Sequence, residues 1–158
     1  SARLAGMLGA GYAFASHFSP TPPGPAIAAY RESFRPSAHF PRPHMILAVS
    51  VVCAETREGA EHHAASMDLV WVRLQRGELG PLPTPEEALA YPYTPQERAV
   101  ADRQRSLALV GSPGEVREGL ERLVATTGAD EVMVTTNLHS REARLRSYEL
   151  LAEAVAGH

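Results

Sequence analysis

Apolar and polar residues follow two different periods along this chain, and the period changes several times. Residues 45–54, MILAVSVVCA, are apolar at odd and even positions alike, which is typical of a strand covered on both faces in a parallel sheet. Residues 12–18, YAFASHF, are rich in aromatic and small residues and are closed by the turn-forming segment SPTPPGP. Residues 130–136, DEVMVTT, form a third short segment rich in apolar and β-branched residues. These three segments are predicted to be strands.

Between the strands, apolar residues recur every three or four positions, which is the spacing of a helix face. This spacing predicts a helix over residues 25–34, a long helix from Thr56 to near Gly77 and a last helix that begins at Ser140. The last helix carries an apolar stripe made of Leu145, Tyr148, Ala152 and Val155. Strands that alternate with covering helices predict an α/β fold in which the carboxyl ends of parallel strands lie at one edge.

A proline-rich segment interrupts this order at residues 77–95. Five prolines lie within it, too many for a central strand or an uninterrupted helix. We therefore expect a helical insertion outside the core and a candidate lid over the carboxyl edge of the sheet. Thr84, Thr94 and Ser112 each precede a proline and lie three residues before a glutamate, a pattern that predicts three helix starts.

Composition narrows the class of protein. The 158 residues carry a net charge of -3 with no block of like charge, which argues against a nucleic-acid partner. Cys53 is the only cysteine, so no internal disulfide can form and a buried, reduced thiol is expected. The longest apolar stretch is about half the length of a membrane span. We expect a soluble, cytoplasmic protein that forms one domain over residues 1–158 and has no membrane partner.

Three predicted strands are too few for a closed sheet. An eight-stranded α/β barrel takes about 250 residues, so three strands with their helices correspond to roughly its last three-eighths. An incomplete barrel exposes a sheet edge, which proteins normally pair or cover. We therefore expect either a homo-oligomer or a complex with a complementing N-terminal half.

Five segments of the sequence resemble the luciferase-like, flavin-dependent monooxygenase family. They are SARLAGMLGAGYAFASHFSP, SFRPS, MILAVSVVCAET, VGSPGEVREGLERL and TGADEVMVTTNLHSREARLRSYELLAE. Together they look like the end of helix five, strand six, strand seven, the helix start before strand eight, and strand eight with its helix in that family. The resemblance covers nearly the whole chain. It implies the C-terminal part of a (β/α)8 TIM-type barrel, with about three βα units plus the proline-rich helical insertion.

The same resemblance implies an oxidoreductase, namely an FMN-dependent monooxygenase present as its C-terminal portion. In this family FMN binds at the carboxyl ends of the strands, is supplied in reduced form by a partner flavin reductase, and reacts with O2 to oxidise a small organic substrate. Ser1 would lie at the trailing edge of the turn that holds the flavin phosphate.

Polar residues at the predicted strand ends are the candidate site residues, because ligands gather at the carboxyl ends of parallel strands. His17 is the catalytic candidate, since an imidazole that titrates near neutral pH could hydrogen-bond the flavin ring or a reacting oxygen. The alternative for His17 is a loop histidine that anchors the turn after it. Ser16, Thr136 and Asn137 are candidate flavin contacts. The alternatives are small-residue packing for Ser16 and capping of the last helix for the other two.

Two further features have simple explanations. Residues 111–114, GSPG, could present amides to an anion at a helix N-terminus, but helix capping explains the motif as well. His62 and His63 are adjacent on a predicted helix, whereas helical metal pairs need a spacing of three or four residues. No metal site is expected.

The spacings do not assemble a Ser-His-Asp set, a nucleophilic cysteine or a carboxylate pair. That pattern fits a flavoenzyme, in which the cofactor carries the oxygen chemistry, and it also fits a protein without activity. Two alternatives therefore stay open. One is a catalytically inactive half-barrel that dimerises and serves as a binding or structural module. The other is a deazaflavin (F420)-dependent oxidoreductase of the same superfamily, which transfers hydride.

Overall fold

The computed structural model describes residues 1–19 and 21–156, and Pro20, part of the predicted turn after the first strand, lies outside the described residues. Helices and strands alternate along the described part of the chain, which confirms the α/β prediction. In chain order the elements are α1 (Ala2–Met7), β1 (Tyr12–Ala15), α2 (Gly24–Ser33), β2 (Met45–Cys53), α3 (Arg57–Gln75), α4 (Pro85–Ala90), α5 (Pro95–Arg105), β3 (Ala108–Gly111), α6 (Pro113–Thr127), β4 (Glu131–Thr135) and α7 (Arg141–Ala156). None of the described helices is both long and apolar enough to cross a membrane.

Strand β2 pairs with each of the other three strands. β1 lies parallel to its first half, with Tyr12 opposite Met45, and β3 lies parallel to its second half, with Ser50 opposite Ala108. All residues of β2 except Ile46 and Ser50 are buried. The prediction of a strand covered on both faces is therefore confirmed.

The chain divides into two compact units. The first comprises Ser1–Val49 and Leu120–Thr135, and the second comprises Ser50–Gly119 and the residues from Thr136 onward. The boundary falls inside β2 and inside α6, so each of these two elements contributes residues to both units.

In the first unit, Tyr30 fixes the position of α2. Its side chain is fully buried, and its hydroxyl donates to the carbonyl of Ala10 at 2.8 Å and accepts the N–H of His44 at 3.0 Å. Arg31, on the exposed side of the helix, donates to the carbonyl of Gly128 after α6 at 2.7 Å. These bonds tie α2 to the segments that lead into β1 and β2 and to the end of α6.

In the second unit, α3 packs through small residues. Ala60 and Ala64 lie in one buried cluster with Val52 of β2, because methyl side chains let a helix lie close to a strand. Further along α3, the carboxylate of Asp68 accepts two bonds from Arg105 of α5, at 2.7 and 3.1 Å. A bidentate arginine of this kind fixes α5 against α3.

Two of the predicted helix starts have the predicted caps. The Thr84 hydroxyl accepts the N–H of Glu87 at the start of α4. Thr94 and Glu97 form a reciprocal capping box at the start of α5, in which each side chain accepts the backbone N–H of the other residue. The proline-rich insertion therefore contains one short helix and ends where the next begins.

The structure differs from the sequence prediction at two strands. β1 ends at Ala15 rather than at Phe18, because the residues after Ala15 form a turn. β3 has no counterpart in the prediction. It is a short apolar run between two helices, and such a run shows no period that separates a strand from a helix.

The apolar stripe of α7 is exposed. Leu145 and Tyr148 are both exposed, whereas the helix is buried through Ser147, Leu150 and Leu151. An apolar stripe normally marks the core face of a helix, so this stripe is uncovered surface in the described residues.

Candidate functional site

His17 lies in the turn directly after β1 and is half-buried. Its Nδ1 is 3.4 Å from the carbonyl oxygen of Ala48, and its backbone N–H donates to the same oxygen at 3.2 Å. A carbonyl only accepts, so Nδ1 is the donor where this contact forms a hydrogen bond. The ring also meets Phe18 edge to face, with ring centroids 4.5 Å apart. The imidazole is thus oriented by the Ala48 carbonyl and by the Phe18 ring.

The two candidate serines of the first unit lie at different places. Ser16 follows β1, and its N–H donates to the carbonyl of Phe14 at 3.1 Å in a tight turn. Ser16 and His17 are therefore consecutive at the carboxyl end of β1. Ser1 is exposed and lies at the amino end of α1, where its side chain makes no capping bond. Its hydroxyl is not used by the helix.

Thr136 and Asn137 follow β4 and belong to the second unit. Thr136 is buried, its hydroxyl donates to the carbonyl of Val51 at 2.9 Å, and its N–H donates to the Tyr148 hydroxyl at 3.1 Å. Asn137 is exposed. Of the two, Asn137 is therefore the residue whose side chain is accessible to a ligand.

Helix α7 fixes the ends of two strands through two hydroxyl groups whose hydrogen bonds the sequence did not indicate. The Ser147 hydroxyl accepts the N–H of Cys53 at the end of β2 at 2.9 Å, and the Tyr148 hydroxyl accepts the N–H of Thr136 after β4. The cap of α7 itself is the Ser140 hydroxyl, so the capping role considered for the residues after β4 is already filled. A serine or tyrosine inside a helix has no sequence signal that reveals such a partner.

Cys53, at the end of β2, carries a neutral thiol. Burial raises its pKa to about 11, and the nearby Glu55 carboxylate adds to the rise while Arg146 opposes it. A thiol with this pKa is protonated at neutral pH and is a poor nucleophile. The expectation of a buried cysteine is confirmed.

The helix start at residues 111–114 is occupied by the glutamate that follows it. The carboxylate of Glu115 accepts the N–H and the hydroxyl of Ser112 at 2.8 and 2.9 Å, and Arg57 donates to its other oxygen at 2.7 Å. The Ser112 N–H and the Arg57 guanidinium lower the pKa of Glu115 to about 2. A Cβ on Gly111 would lie 2.7 Å from the same carboxylate. An anion would have to displace Glu115, so capping explains the motif.

The proline-rich insertion is attached at both α3 and the loop after β4. Ala88 of α4 lies in a buried cluster with Ala65 of α3. The carbonyl of Leu82 accepts a bond from Nδ1 of His139 at 2.8 Å. Leu79, earlier in the insertion, is exposed. The insertion therefore reaches the loop at the carboxyl end of β4.

Comparison with known proteins identifies the family to which the chain belongs. The model of the luciferase-like monooxygenase family matches residues 1–131. A luciferase-like monooxygenase from Escherichia coli (strain K12) is 38% identical over 150 residues, which are 95% of this chain and 45% of that protein. The crystal structure of apo-MsnO8 superposes with a TM-score of 0.86 at 35% identity, covering 98% of this chain and 47% of the other.

A more distant structure shares the fold. The oxygenating constituent of 3,6-diketocamphane monooxygenase from the CAM plasmid of Pseudomonas putida is a type II Baeyer-Villiger monooxygenase in complex with FMN. It superposes with a TM-score of 0.56 at 19% identity and covers 99% of this chain and 44% of the other.

The fold and these matches define the chain as the C-terminal part of a (β/α)8 TIM-type barrel. It belongs to the luciferase-like monooxygenase family, as its sequence resemblance implied. The chain spans about half the length of the curated relatives it matches. Fold class and family are confirmed, while the five site residues and the roles assigned to them stay predictions.

Proposed function

We propose that this chain is the carboxyl-terminal part of an FMN-dependent monooxygenase, an oxidoreductase that oxidises a small organic substrate with O2. The reduced flavin would come from a partner reductase, and a complementing N-terminal half would complete the barrel. The observation that carries the proposal is the superposition of 98% of this chain on 47% of apo-MsnO8, within a family of monooxygenases. Barrel enzymes bind their ligands at the carboxyl ends of their strands, and such ends are included in this chain.

The donor groups after the strands suit a flavin ring. Ser16, His17 and Asn137 offer a hydroxyl, an imidazole and an amide, and the flavin ring presents carbonyl and N–H groups that such neutral partners can bind. Ser1 adds a hydroxyl that its helix does not use. FMN is the flavin to test first, because the Pseudomonas putida protein of the same fold is described with FMN.

Thr136 would act differently from the other three candidate cofactor contacts. Its hydroxyl proton and its N–H are both bonded inside the fold. Its contribution would therefore be to hold Asn137 in place next to the ligand. Ser1, Ser16 and Asn137 have side chains that are exposed or partly exposed, so they would contact the cofactor directly.

When bound, FMN would supply the electrons that activate O2. The chain's own residues would orient the ring, move a proton and exclude water. His17 can accept a proton or a hydrogen bond at Nε2, since Nδ1 is engaged with the carbonyl of Ala48. Residues 77–95 would form a lid, a role supported by the bond between Leu82 and His139 at the end of β4. A lid at this edge would keep bulk water from the reaction.

A flavin titration tests the proposal. Quenching of FMN fluorescence is followed for this chain and for a full barrel in which the unmatched N-terminal part of the Escherichia coli relative precedes it. We expect the full barrel to bind FMN, and His17→Ala within it to weaken binding by about tenfold, the cost of one lost hydrogen bond. His39→Ala, an exposed histidine outside the candidate site, should leave binding unchanged.

The same titration separates the rival functions. Tighter binding of the deazaflavin F420 than of FMN would assign the chain to the hydride-transferring branch. Failure of a folded full barrel to bind any flavin would contradict the proposal and favour the inactive half-barrel that serves as a binding or structural module.

A further inference from the structure

We propose that His139 is a positioning residue that holds a short strap, residues 77–83, against the loop after β4, and that this strap alone is the moving part of the proline-rich insertion. The inference rests on the proposed function and deepens it, because it names the segment that would open and close as a lid. Residues 84–105 would stay fixed.

The second half of the insertion is packed on α3. Ala88 of α4 is 1% exposed and lies in one buried cluster with Ala65 and Leu69 of α3. The rings of Tyr91 and Tyr93, between α4 and α5, pack against the same cluster. Moving this half away from α3 would expose the cluster to water, which is unfavourable in proportion to the apolar area uncovered.

Charged side chains attach the same half to α3 at both ends. Arg73 of α3 donates to the carboxylate of Glu87 in α4 at 2.6 Å. Asp68 of α3 accepts the two bonds from Arg105 at the end of α5. The bidentate pair is the stronger of the two attachments, and together they hold residues 84–105 as one body with α3.

The first part of the insertion has few contacts of this kind. Residues 78–81 are all exposed, and Leu79 is 85% exposed although it is apolar. Gly77 ends α3 with a φ of 72°, in the left-handed region that favours glycine. A Cβ on Gly80 would meet no atom within 4 Å. Exposed backbone with few buried contacts is typical of a segment that opens locally.

One side chain holds the far end of the strap. Within the described part of the chain, the bond from Nδ1 of His139 to the carbonyl of Leu82, at 2.8 Å, is the one hydrogen bond that residues 79–83 make. Pro83 is buried, so the strap ends there. His139 lies two residues after the exposed Asn137. Breaking this one bond would free the strap beside a candidate flavin contact and leave α4 in place.

Limited proteolysis of the chain alone tests this role of His139. Thermolysin cuts before leucine, and two bonds can be compared, Glu78–Leu79 in the strap and Ala88–Leu89 in α4, because both leucines are exposed. We expect the first cut at Glu78–Leu79. We expect His139→Ala to make this cut about fivefold faster, which corresponds to the loss of one hydrogen bond. His139→Asn should restore the wild-type rate, because its amide nitrogen can donate in place of Nδ1.

The rates decide between a specific bond and a general loss of structure. His39→Ala is the control, since His39 is an exposed histidine in the loop before β2, and its rate should equal that of the wild type. Faster cutting at Glu78–Leu79 in His139→Ala, reversed in His139→Asn, supports the proposal, with far-UV circular dichroism showing that both variants are folded. A first cut at Ala88–Leu89, or equal rates in the wild type and His139→Ala, overturns it.

The full barrel of the flavin titration tests the strap as a lid. FMN at about ten times its Kd should slow the cut at Glu78–Leu79 about tenfold, because a ligand that binds only the closed form reduces the open population in that proportion. A barrel that binds FMN and is cut equally fast with and without it overturns the proposal. A barrel that binds no flavin refutes the proposed function, whereas the rates of the chain alone still decide the role of His139.

Discussion

Glu115 is a single residue that connects two helices and a strand end. Its carboxylate accepts from the N–H and hydroxyl of Ser112, directly after β3, and from Arg57 at the start of α3. These bonds favour the charged form, so the pKa of Glu115 falls from 4.5 to about 2. A carboxylate whose pKa is lower in the folded state stabilises the fold at every pH above its unfolded pKa. That stabilisation is lost as the pH falls from about 4.5 toward 2.

Glu115→Gln is expected to lower the stability of the chain at pH 7 and to remove part of its sensitivity to acid. The wild-type chain should lose stability between pH 4.5 and about 2 more steeply than the variant, because only the wild type has this carboxylate to protonate. Urea unfolding midpoints at pH 7, 4 and 2.5 measure the difference. Glu32→Gln, at an exposed position of α2, is the control. Parallel pH profiles of the wild type and Glu115→Gln would refute the argument.

Residues on both the buried and the exposed face of helix α7 hold the ends of strands. Its buried face packs in the core, and the Ser147 hydroxyl on that face accepts the N–H of Cys53 at the end of β2. Tyr148 belongs to the exposed stripe, yet its hydroxyl holds the N–H of Thr136 after β4.

Ser147→Ala is expected to destabilise the chain by about 1–3 kcal/mol, because it leaves the N–H of Cys53 without its acceptor in a buried place. Chemical denaturation followed by far-UV circular dichroism measures the change. Ser106→Ala is the control, since Ser106 is exposed and its hydroxyl bond with the carbonyl of Arg103 lies at the surface. Equal destabilisation by the two substitutions would show that the buried bond contributes nothing specific.

Helices and strands could be predicted from the sequence where the residues that determine them are close along the chain. The Thr84 and Thr94 caps depend on residues within one turn, and the length of β2 follows from a run that is apolar except at Ser50. β3 was not predictable, because its four residues become a strand only through pairing with the second half of β2. The partners of site residues were not predictable either. His17 contacts the carbonyl of Ala48, 31 positions away in the sequence. No local sequence pattern predicts which distant carbonyl a histidine side chain will contact.

At the scale of the whole molecule, the two compact units share β2 and α6. Unfolding either unit would interrupt a strand and a helix that continue into the other. We therefore expect one cooperative transition, as the prediction of a single domain over residues 1–158 requires. Trp71, the only tryptophan, lies on α3 in the second unit, so its fluorescence reports on that unit alone. Far-UV circular dichroism reports on the helices of both.

The midpoints of the two signals in a urea titration should therefore coincide, with Trp71→Phe confirming the source of the fluorescence. A fluorescence midpoint clearly separated from that of the circular dichroism would show that the units unfold independently. Sharing β2 and α6 would then not be enough to couple them, and residues 1–158 would have to be treated as two domains.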